Sequence, residues 1–288
     1  MAGPVLKGDH VRASPDIDGF LRHIQACQSA NLPGERVAFR IGAAQVGWVA
    51  PAVAAALAAR PEVRRAADGL RLSRGELLEP IGQELAAAGL FRLRREAFDI
   101  RAYAGGPVLG RLDRGGLPKF GAISTGVHVN GLVRRADGLH VWVGRRAADK
   151  ALDPNKLDHL VAGGIPAGLT AAETLVKEAG EEAAIPPALA RRARRVATLR
   201  YTMERPEGLR RDVLYCYDLE LPEDFVPFPN DGEAQGFELW PVAEVMAEVR
   251  AGDAFKFNVN LVLIDLFLRV GLIQGSGAEV LRAALEAG

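Results

Sequence analysis

Residues 163–185 constrain the fold and the chemistry of this chain more than any other segment. They begin with a glycine-rich loop and continue into a short helix that gathers three carboxylates on one side. Thr170 and Glu173 have the spacing of a capping box, so we expect the helix to begin at Ala171. The pair of prolines after this segment cannot continue a helix, so the helix must end before them.

The helix in this segment has an apolar face and an acidic face, each roughly 100° wide. The apolar face is predicted to comprise Ala172, Leu175, Val176, Ala179 and Ala183. The acidic face carries Glu178, Glu181 and Glu182. Like charges at this spacing repel by roughly a few tenths of a kcal/mol per pair. A divalent cation removes that repulsion, and carboxylate oxygens suit Mg²⁺ or Mn²⁺. The acidic face therefore predicts a metal site, with a solvated helix face as the alternative.

The spacing of the segment resembles the signature of the Nudix hydrolases. That signature reads glycine, five residues, Glu, seven residues, and then Arg-Glu-apolar-x-Glu-Glu-x-Gly-apolar. The spacing of this signature is kept here from Gly163 to Ile185. Three positions depart from it, with Leu169 in place of the first Glu, Lys177 in place of Arg and Ala184 in place of the last Gly. The metal-binding Glu residues of the family are retained.

The resemblance implies roles for the residues that match the signature. It implies a Mg²⁺ or Mn²⁺ cofactor, and the implied metal ligands are Glu178, Glu181, Glu182 and Gly163. The first and third of these Glu residues are also implied to be catalytic. The residues with implied structural roles are Gly164, Gly168, Glu173 and Lys177. Because Glu173 lies four residues before Lys177, the favourable order for an ion pair, we expect Lys177 to pair with Glu173 or with a neighbouring acid.

Several segments outside the signature narrow the resemblance. They are residues 126–131, 142–146, 156–158, 217–222, 231–233 and 255–258. Together with the signature they are similar to Nudix proteins related to the extra domain of some fungal and plant thiamine pyrophosphokinases. The similarity extends over roughly residues 30–275. It implies a phosphohydrolase that cuts thiamine diphosphate, or its oxidised forms, to the monophosphate.

The chain divides near residue 120. We expect a flexible N-terminus at residues 1–14, a small α+β accessory domain at residues 15–120, and a Nudix domain at residues 121–288. In the last part, strands and helices alternate around the acidic helix. A mixed sheet flanked by helices is the α/β/α sandwich expected of Nudix domains. The predicted fold class is therefore α+β.

The accessory domain contains two further local signals. Ser73 and Glu76 have the spacing of a second capping box, which predicts a helix that runs to about Ala88. Residues 93–103 are expected to form a strand, and a glycine-rich connection follows. No cluster of residues in this part of the chain requires a particular chemistry.

Residues outside the signature are candidates for substrate binding. Arg145 and Arg146 follow a strand, and the fork of donors on an arginine suits phosphate. Lys256 and Asn258 are candidates for contacts with phosphate or with an aromatic ring of the substrate. For each of these residues, a purely structural role is the alternative.

Glu233 and three aromatic residues complete the candidate site. Glu233 lies in a turn, and in many Nudix enzymes a loop Glu after the signature assists catalysis. The general base is therefore either Glu182 or Glu233. Thiamine diphosphate carries a cationic ring and an aminopyrimidine, so its pocket requires an aromatic wall. The candidates for that wall are Trp48, Tyr201 and Phe257.

Composition limits the partners of the chain. Lys plus Arg equals Asp plus Glu, at 36 each, so no overall field attracts the chain to nucleic acid or to a membrane. We expect a small-molecule diphosphate as the partner, and a monomer or a homodimer. Cys27 and Cys216 are expected to be buried free thiols. Residues 1–14 lack the apolar core of a signal peptide, so a cytoplasmic location is expected.

Three other functions compete with a thiamine diphosphate hydrolase. The first is a pyrophosphatase that acts on nucleoside diphosphate derivatives. The second is a Nudix protein that binds a ligand without hydrolysis, although such proteins usually lose the catalytic Glu that this chain keeps. The third is the Nudix-fold isomerase of isopentenyl diphosphate, which requires a catalytic cysteine. Cys27 lies outside the predicted Nudix domain and Cys216 lies in an apolar strand, which disfavours the third function.

Overall fold

The computed structural model describes residues 17–150 and 152–288, so the predicted flexible N-terminus, residues 1–14, lies outside the described residues. The helices of this part of the chain are α1 (Asp18–Cys27), α2 (Pro51–Ala58), α3 (Leu78–Ala87), α4 (Leu117–Phe120), α5 (Ala171–Ala183), α6 (Pro187–Ala190), α7 (Val242–Ala251), α8 (Val259–Arg269) and α9 (Gly275–Glu286). The strands are β1 (Val37–Ile41), β2 (Ala44–Val49), β3 (Val63–Ala66), β4 (Gly69–Leu72), β5 (Ala97–Ile100), β6 (Gly110–Asp113), β7 (Ile123–Arg135), β8 (Gly138–Arg146), β9 (Leu157–Asp158), β10 (Val161–Gly164), β11 (Arg194–Arg205), β12 (Gly208–Glu220) and β13 (Ala234–Pro241). None of the helices in these ranges has the length and apolar character needed to cross a membrane.

A seven-stranded mixed sheet organises the C-terminal part of the structure. Five strands run in the order β11-β12-β7-β8-β13, while β10 pairs with β7 and β9 pairs with β8. Strands β7 and β12 are parallel, and their other neighbours are antiparallel. Successive residues of β8 belong to two different apolar cores, Trp142 to the core of α5 and Val141 to the core of α7, α8 and α9. Helices therefore cover both faces of the sheet, and the predicted α+β fold with an α/β/α sandwich is confirmed.

The N-terminal region has a sheet and a core of its own. Its four strands run in the order β2-β1-β4-β3. They pack with α2 and α3 around buried residues that include Phe39, Leu57 and Leu85. Strands β5 and β6 form a separate antiparallel ribbon, and Leu112 of β6 is buried in the same core. This smaller α+β region precedes the mixed sheet in the chain.

Helix α1 packs on the C-terminal part, although it lies within the predicted accessory domain of residues 15–120. Its buried residues Phe20 and Ile24 belong to the core of α7, α8 and α9. The imidazole Nε2 of His23 lies 2.8 Å from the carbonyl oxygen of Val249 in α7. The predicted accessory domain thus differs from the observed packing at its first helix, and the division near residue 120 stays a prediction.

Two elements of the N-terminal region differ from the prediction. Ser73 and Glu76 do not form a capping box, because a 3₁₀ turn at Gly75–Leu77 comes before α3 and no side chain caps that helix. The strand predicted at residues 93–103 is limited to the four residues of β5. The backbone just before β5 instead donates hydrogen bonds to the side chain of Asp113.

Strand β5 holds the glycine loop that precedes α5. The backbone N–H of Ala167 donates to the carbonyl of Ala97 at 2.8 Å. The buried ring of Phe98 lies directly against Gly164, where an added Cβ would stand only 2.7 Å from the ring Cζ. The N-terminal region therefore contacts the start of the acidic helix through its backbone and through one aromatic side chain.

Replacing Gly164 by Ala should destabilise the protein, because the ring of Phe98 is only 2% exposed and has little room to move. We expect the free energy of unfolding to fall by about 1–3 kcal/mol, measured by urea denaturation. Gly180→Ala is the matched control, because its Cβ would meet only the Ile185 carbonyl, at 3.9 Å. Alanine at this position inside α5 should stabilise the protein by up to about 1 kcal/mol. A Gly164→Ala protein as stable as the wild type would show that the Phe98 contact does not hold the loop.

Candidate functional site

Helix α5 begins at a capping box. Thr170 Oγ accepts a hydrogen bond from the Glu173 N–H at 3.2 Å, and Glu173 Oε2 accepts one from the Thr170 N–H at 2.8 Å. These bonds satisfy donors that a helix start leaves free. Gly168, just before the box, has a φ of +83°, which favours glycine. Ala184, just after the helix, has a φ of +52° at the position where the Nudix signature has glycine. The helix begins at Ala171, as predicted.

The buried face of α5 packs on the sheet through Leu175, Ala179 and Ala183. Ala172 was expected on this face, but it is exposed, and Thr174 is buried in the first half of the helix instead. The rest of the predicted apolar face is therefore confirmed. It orients the carboxylates of the helix toward one side.

Two carboxylates of α5 lie against strand β10. Glu178 lies beside Gly163, where an added Cβ would stand 2.6 Å from Glu178 Cδ, so a larger residue at 163 would displace this carboxylate. Glu182 Oε2 accepts a hydrogen bond from the Ala162 N–H at 2.9 Å. Burial raises the pKa of Glu178, and the nearby Lys177 opposes that shift. Burial raises the pKa of Glu182 to about 8, with a further contribution from neighbouring carboxylates.

Lys177 pairs with two of the three acidic residues. Its Nζ lies 3.0 Å from Glu178 Oε1 and 2.7 Å from Glu181 Oε2. The bond to Glu181 is the main reason that the pKa of Lys177 is raised. Glu173 is instead occupied in the capping box with Thr170. Of the two partners considered for Lys177, the structure thus selects the neighbouring acids and not Glu173.

The three carboxylates have different surroundings. Within residues 17–150 and 152–288, no group of three or more His, Cys, Asp or Glu side chains is arranged to hold a metal ion. Glu181 is about half exposed and is paired with Lys177, whereas Glu182 is partly buried against β10. The donor chemistry nevertheless fits Mg²⁺ or Mn²⁺, because all the donors are carboxylate oxygens and Glu182 has no cationic partner in the described chain. Glu178 and Glu182 are the groups that would hold such an ion, and both Glu178 and Glu181 would have to give up Lys177 to bind it.

A cleft with a volume of about 600 Å³ lies between the mixed sheet and the N-terminal region. The sheet contributes residues from the first parts of β7 and β12 and from β10, including Ala162 and Gly163. The N-terminal region contributes residues within 91–96 and 114–122. Because Glu178 and Glu182 contact Gly163 and Ala162, both carboxylates lie next to this cleft. Its size is within the usual range for a small-molecule site.

Arg146 and Lys256, two predicted phosphate ligands, line the cleft and share a buried carboxylate. Arg146 Nη1 lies 2.7 Å and Lys256 Nζ lies 3.3 Å from the same oxygen of Asp158. Burial alone would raise the pKa of Asp158, but Lys256 and Arg146 together hold it well below its usual range. Burial lowers the pKa of Lys256. A ligand in the cleft therefore meets these two cations already partly neutralised.

Asn258, a third predicted substrate ligand, also lines the cleft. Its Nδ2 donates to Tyr201 Oη at 3.5 Å, and its buried Oδ1 has no hydrogen-bond partner among the described residues. A buried oxygen without a donor is costly. Asn258 therefore suits a contact with an N–H or O–H group of a ligand.

Glu233 lies on the wall of the same cleft. Its Oε1 is 2.6 Å from Lys150 Nζ, and its backbone N–H donates to Asp231 Oδ1 at 2.8 Å. Glu233 is one of the carboxylates whose charge raises the pKa of Glu182. The two candidate bases are thus close enough to influence each other, and the geometry does not select between them.

Arg145 faces a different depression from Arg146. Successive residues of a strand point to opposite faces of the sheet. Arg145 lines a depression of about 160 Å³ together with Gln235 and Phe237. Its Nη1 donates to the carbonyl of Asn155 at 3.2 Å. Of the two predicted arginines, the structure brings only Arg146 to the larger cleft.

The three aromatic residues predicted for the pocket wall do not reach the cleft. Trp48, Tyr201 and Phe257 are absent from the described residues that line it. Tyr201 is only 1% exposed within the core of α7, α8 and α9, and its hydroxyl donates to Asp212. The Phe257 ring lies against Tyr201 and under the guanidinium of Arg205, 4.7 Å from the ring centroid. Trp48 lies within β2, which pairs with β1 in the N-terminal sheet.

Phe91 lines the cleft, although it was not among the residues predicted from the sequence. Its Cζ would stand 3.0 Å from a Cβ added at Gly116, so the ring packs closely on the segment before α4. It follows α3 in an irregular segment without helical or strand periodicity. No sequence pattern therefore singles it out.

The two cysteines are buried and free, as predicted. Burial raises the pKa of Cys27 to about 12, and burial also raises the pKa of Cys216. Neither thiol is among the residues that line the cleft within the described chain. Because the thiolate is the reactive form, a cysteine-dependent isomerase is disfavoured.

Comparison with solved structures finds one from Deinococcus radiodurans, the protein DR0079. It is 24% identical, and the match covers 66% of this chain and 99% of that chain, with a TM-score of 0.43.

Comparison with known sequences identifies similar plant proteins and a domain. Nudix hydrolase 20, chloroplastic, and Nudix hydrolase 24, chloroplastic, both from Arabidopsis thaliana, are each 44% identical to this chain over 182 residues, or 63% of its length. The match covers 49% and 50% of those proteins, so this chain spans about half their length. The expected cytoplasmic location is wrong by this comparison, because both relatives are named as chloroplastic. The model of the NUDIX domain matches residues 124–259. Residues 124–259 of this chain are therefore similar to the NUDIX domain, and two of its relatives are named Nudix hydrolases.

Proposed function

We propose that this protein is a Mg²⁺- or Mn²⁺-dependent hydrolase that cuts the phosphoanhydride bond of a small-molecule diphosphate. The observation that carries the proposal is the placement of Glu178 and Glu182 against Gly163 and Ala162. Those two backbone positions line a cleft with basic walls. Carboxylates for a cation and basic side chains for phosphate therefore border the same space. The match of residues 124–259 to the NUDIX domain supports this chemistry.

Different residues of the chain would take different roles in the proposed hydrolysis. Glu178 and Glu182 would hold a divalent ion, which would supply charge neutralisation on phosphate oxygens and a more acidic water. Arg146 and Lys256 would orient the substrate by its phosphate groups. A carboxylate that is not fully occupied by the ion would accept the proton of the attacking water. Glu182 and Glu233 are both suited to that step.

The proposed substrate is thiamine diphosphate or one of its oxidised forms, which yields the monophosphate and phosphate. Support comes from the resemblance of the segments around the signature to the proteins related to thiamine pyrophosphokinase. The cleft volume suits a ligand of this size. Nucleoside diphosphate derivatives are the second candidate. A ligand-binding protein without hydrolysis is the third.

The organisation proposed for the whole chain follows from the same reasoning. Residues 121–288 would carry the metal and the catalytic groups, and the preceding accessory domain would shape the substrate pocket. No nucleic acid or membrane partner is proposed, and the assembly would be a monomer or a homodimer.

Replacing Glu178 or Glu182 by Gln should remove a charged ligand without removing its volume. We expect each variant to lose turnover by about a hundredfold or more. Phosphate release should be measured in Mg²⁺ and in Mn²⁺, with thermal melting as the check on folding. Glu279→Gln, an exposed carboxylate on α9, is the matched control and should keep full activity. Full activity in both Glu178→Gln and Glu182→Gln would contradict the metal site.

Glu182 should make the stability of the metal-free protein depend on pH. Its pKa of about 8 in the folded protein lies above its usual value of 4.5. Between these values the folded state retains a proton that the unfolded state has lost, so stability falls as the pH rises. Relative to Glu182→Gln, the free energy of unfolding should fall by up to about 1.4 kcal/mol per pH unit. Urea denaturation in EDTA from about pH 5 to about pH 8 measures this. Parallel curves for the two proteins would show that Glu182 is not a buried, protonated carboxyl.

The substrate is tested by comparing kcat/KM for thiamine diphosphate, its oxo forms, ADP-ribose and nucleoside triphosphates. Oxidised forms lose ring charge or replace an amino group with oxygen, so a site that selects them relies on hydrogen-bond complementarity. We expect the oxidised forms to be preferred and to yield the monophosphate. A nucleotide cut about tenfold better than every thiamine compound would reject the proposed substrate and retain only the metal-dependent hydrolase.

A further inference from the structure

Basic residues outnumber acidic residues on the wall of the cleft within the described chain. Several of these cations are held in ion pairs, Arg114 with Glu96, Lys150 with Glu233 and Arg210 with Asp212. The two cations predicted to bind phosphate from the sequence share the carboxylate of Asp158. The cations with charge still available to a ligand are therefore the other basic residues on the cleft wall.

The cleft-lining cations without a carboxylate partner, among the residues that the structure describes, are Arg92, Arg94, Lys119 and Arg211. Arg92 and Arg94 are exposed to solvent. Lys119 and Arg211 are partly buried. Water solvates exposed charges, so these carry little energetic cost. The two partly buried cations have lost part of that solvation, and a partner for their charge has to be found.

Arg211 is a partly buried guanidinium that has no carboxylate partner among the described residues. Its Nη1 donates to the carbonyl of Gly121 at 3.1 Å, and that is its one side-chain hydrogen bond within the described chain. Burial alone lowers its pKa, since no carboxylate offsets the loss of water. A guanidinium has five N–H donors, so most of them are open to a ligand. Buried charges in proteins are ordinarily paired, and an anion in the cleft would complete this one.

Lys119 is linked to Arg211 through the end of α4, because the hydrogen bond from Arg211 to Gly121 joins β12 to that end of the helix. Lys119 belongs to α4, and Gly121 follows that helix directly. Both cations line the same cleft. Arg211 comes from the mixed sheet and Lys119 from the last helix before it, so the pair spans the predicted boundary between the two parts of the chain.

We infer that Arg211 and Lys119 form an anion-binding subsite that receives a phosphate group of the substrate. The inference rests on the proposed hydrolysis of a diphosphate and adds these two residues to Arg146 and Lys256 as phosphate ligands. A guanidinium fork and an ammonium on the wall of one cleft match the oxygen acceptors of phosphate. The segment before the NUDIX domain thereby supplies part of the substrate site.

The direct test measures the binding of inorganic pyrophosphate to the full chain by titration calorimetry, without divalent metal. Arg211→Met and Lys119→Met should each weaken binding by about tenfold or more. Arg65→Met, which removes an exposed cation on β3 outside the cleft, is the matched control and should bind as the wild type does. Arg211→Lys keeps the charge and should recover part of the affinity. Pyrophosphate binding that is unchanged in both Met variants overturns the subsite.

Folding and activity are separated from binding by two further measurements. Thermal melting checks each variant, and Arg211→Lys with Lys119→Met carries the test if Arg211→Met does not fold. In steady-state hydrolysis, both Met variants should raise KM by about tenfold with kcat changed much less. If the wild type hydrolyses no diphosphate but pyrophosphate binding depends on both residues, the subsite stands and the proposed function fails. If diphosphates are hydrolysed and neither variant changes pyrophosphate affinity or KM, the function stands and the subsite fails.

Discussion

Gly163 and Gly164 are each in close contact with a side chain from another part of the chain, and the candidate site depends on these two contacts. Glu178 approaches one glycine and Phe98 approaches the next, each so closely that a Cβ would clash. Successive residues of a strand face opposite sides. Strand β10 therefore meets a carboxylate of α5 through one residue and the N-terminal region through the other. The position of the carboxylates relative to the cleft is consequently set by both parts of the chain.

The charges around this strand are separated in a way that suits a ligand with both a cation and phosphate. Behind β10, burial raises the pKa of Glu182, because no cation in the described chain balances it. In the cleft, Arg211 is a partly buried cation with no carboxylate partner in the part of the chain that the structure describes. Leaving either group without a partner costs free energy. A metal ion would stabilise the first and a phosphate group the second, so a metal–diphosphate complex would complement both.

The features that the sequence predicts correctly are local or periodic. The capping box of Thr170 and Glu173 and the buried side of α5 follow from spacing along one helix. The features that it misses depend on contacts between distant residues. Tyr201 is an aromatic residue of the kind that lines pockets, but its hydroxyl donates to Asp212 on the neighbouring strand. Lys177 has partners at several helical spacings, and the capping box removes one of them. Phe91 lies in an irregular segment, where only the folded chain shows that it lines a cleft.

The division of the site suggests where selectivity between diphosphates arises. On the proposed function, the residues of α5 and β10 would act on the phosphoanhydride, which all candidate substrates share. Groups that differ between substrates must be recognised by the rest of the cleft, and the N-terminal region contributes Phe91 and Lys119 to that wall. Wall residues such as Phe91 and Lys119 can change without disturbing the carboxylates as long as the contact of Phe98 with Gly164 is kept, because that contact holds the glycine loop. On the proposed function, the N-terminal region would therefore determine which diphosphate is selected, while the NUDIX domain determines that a diphosphate is cut.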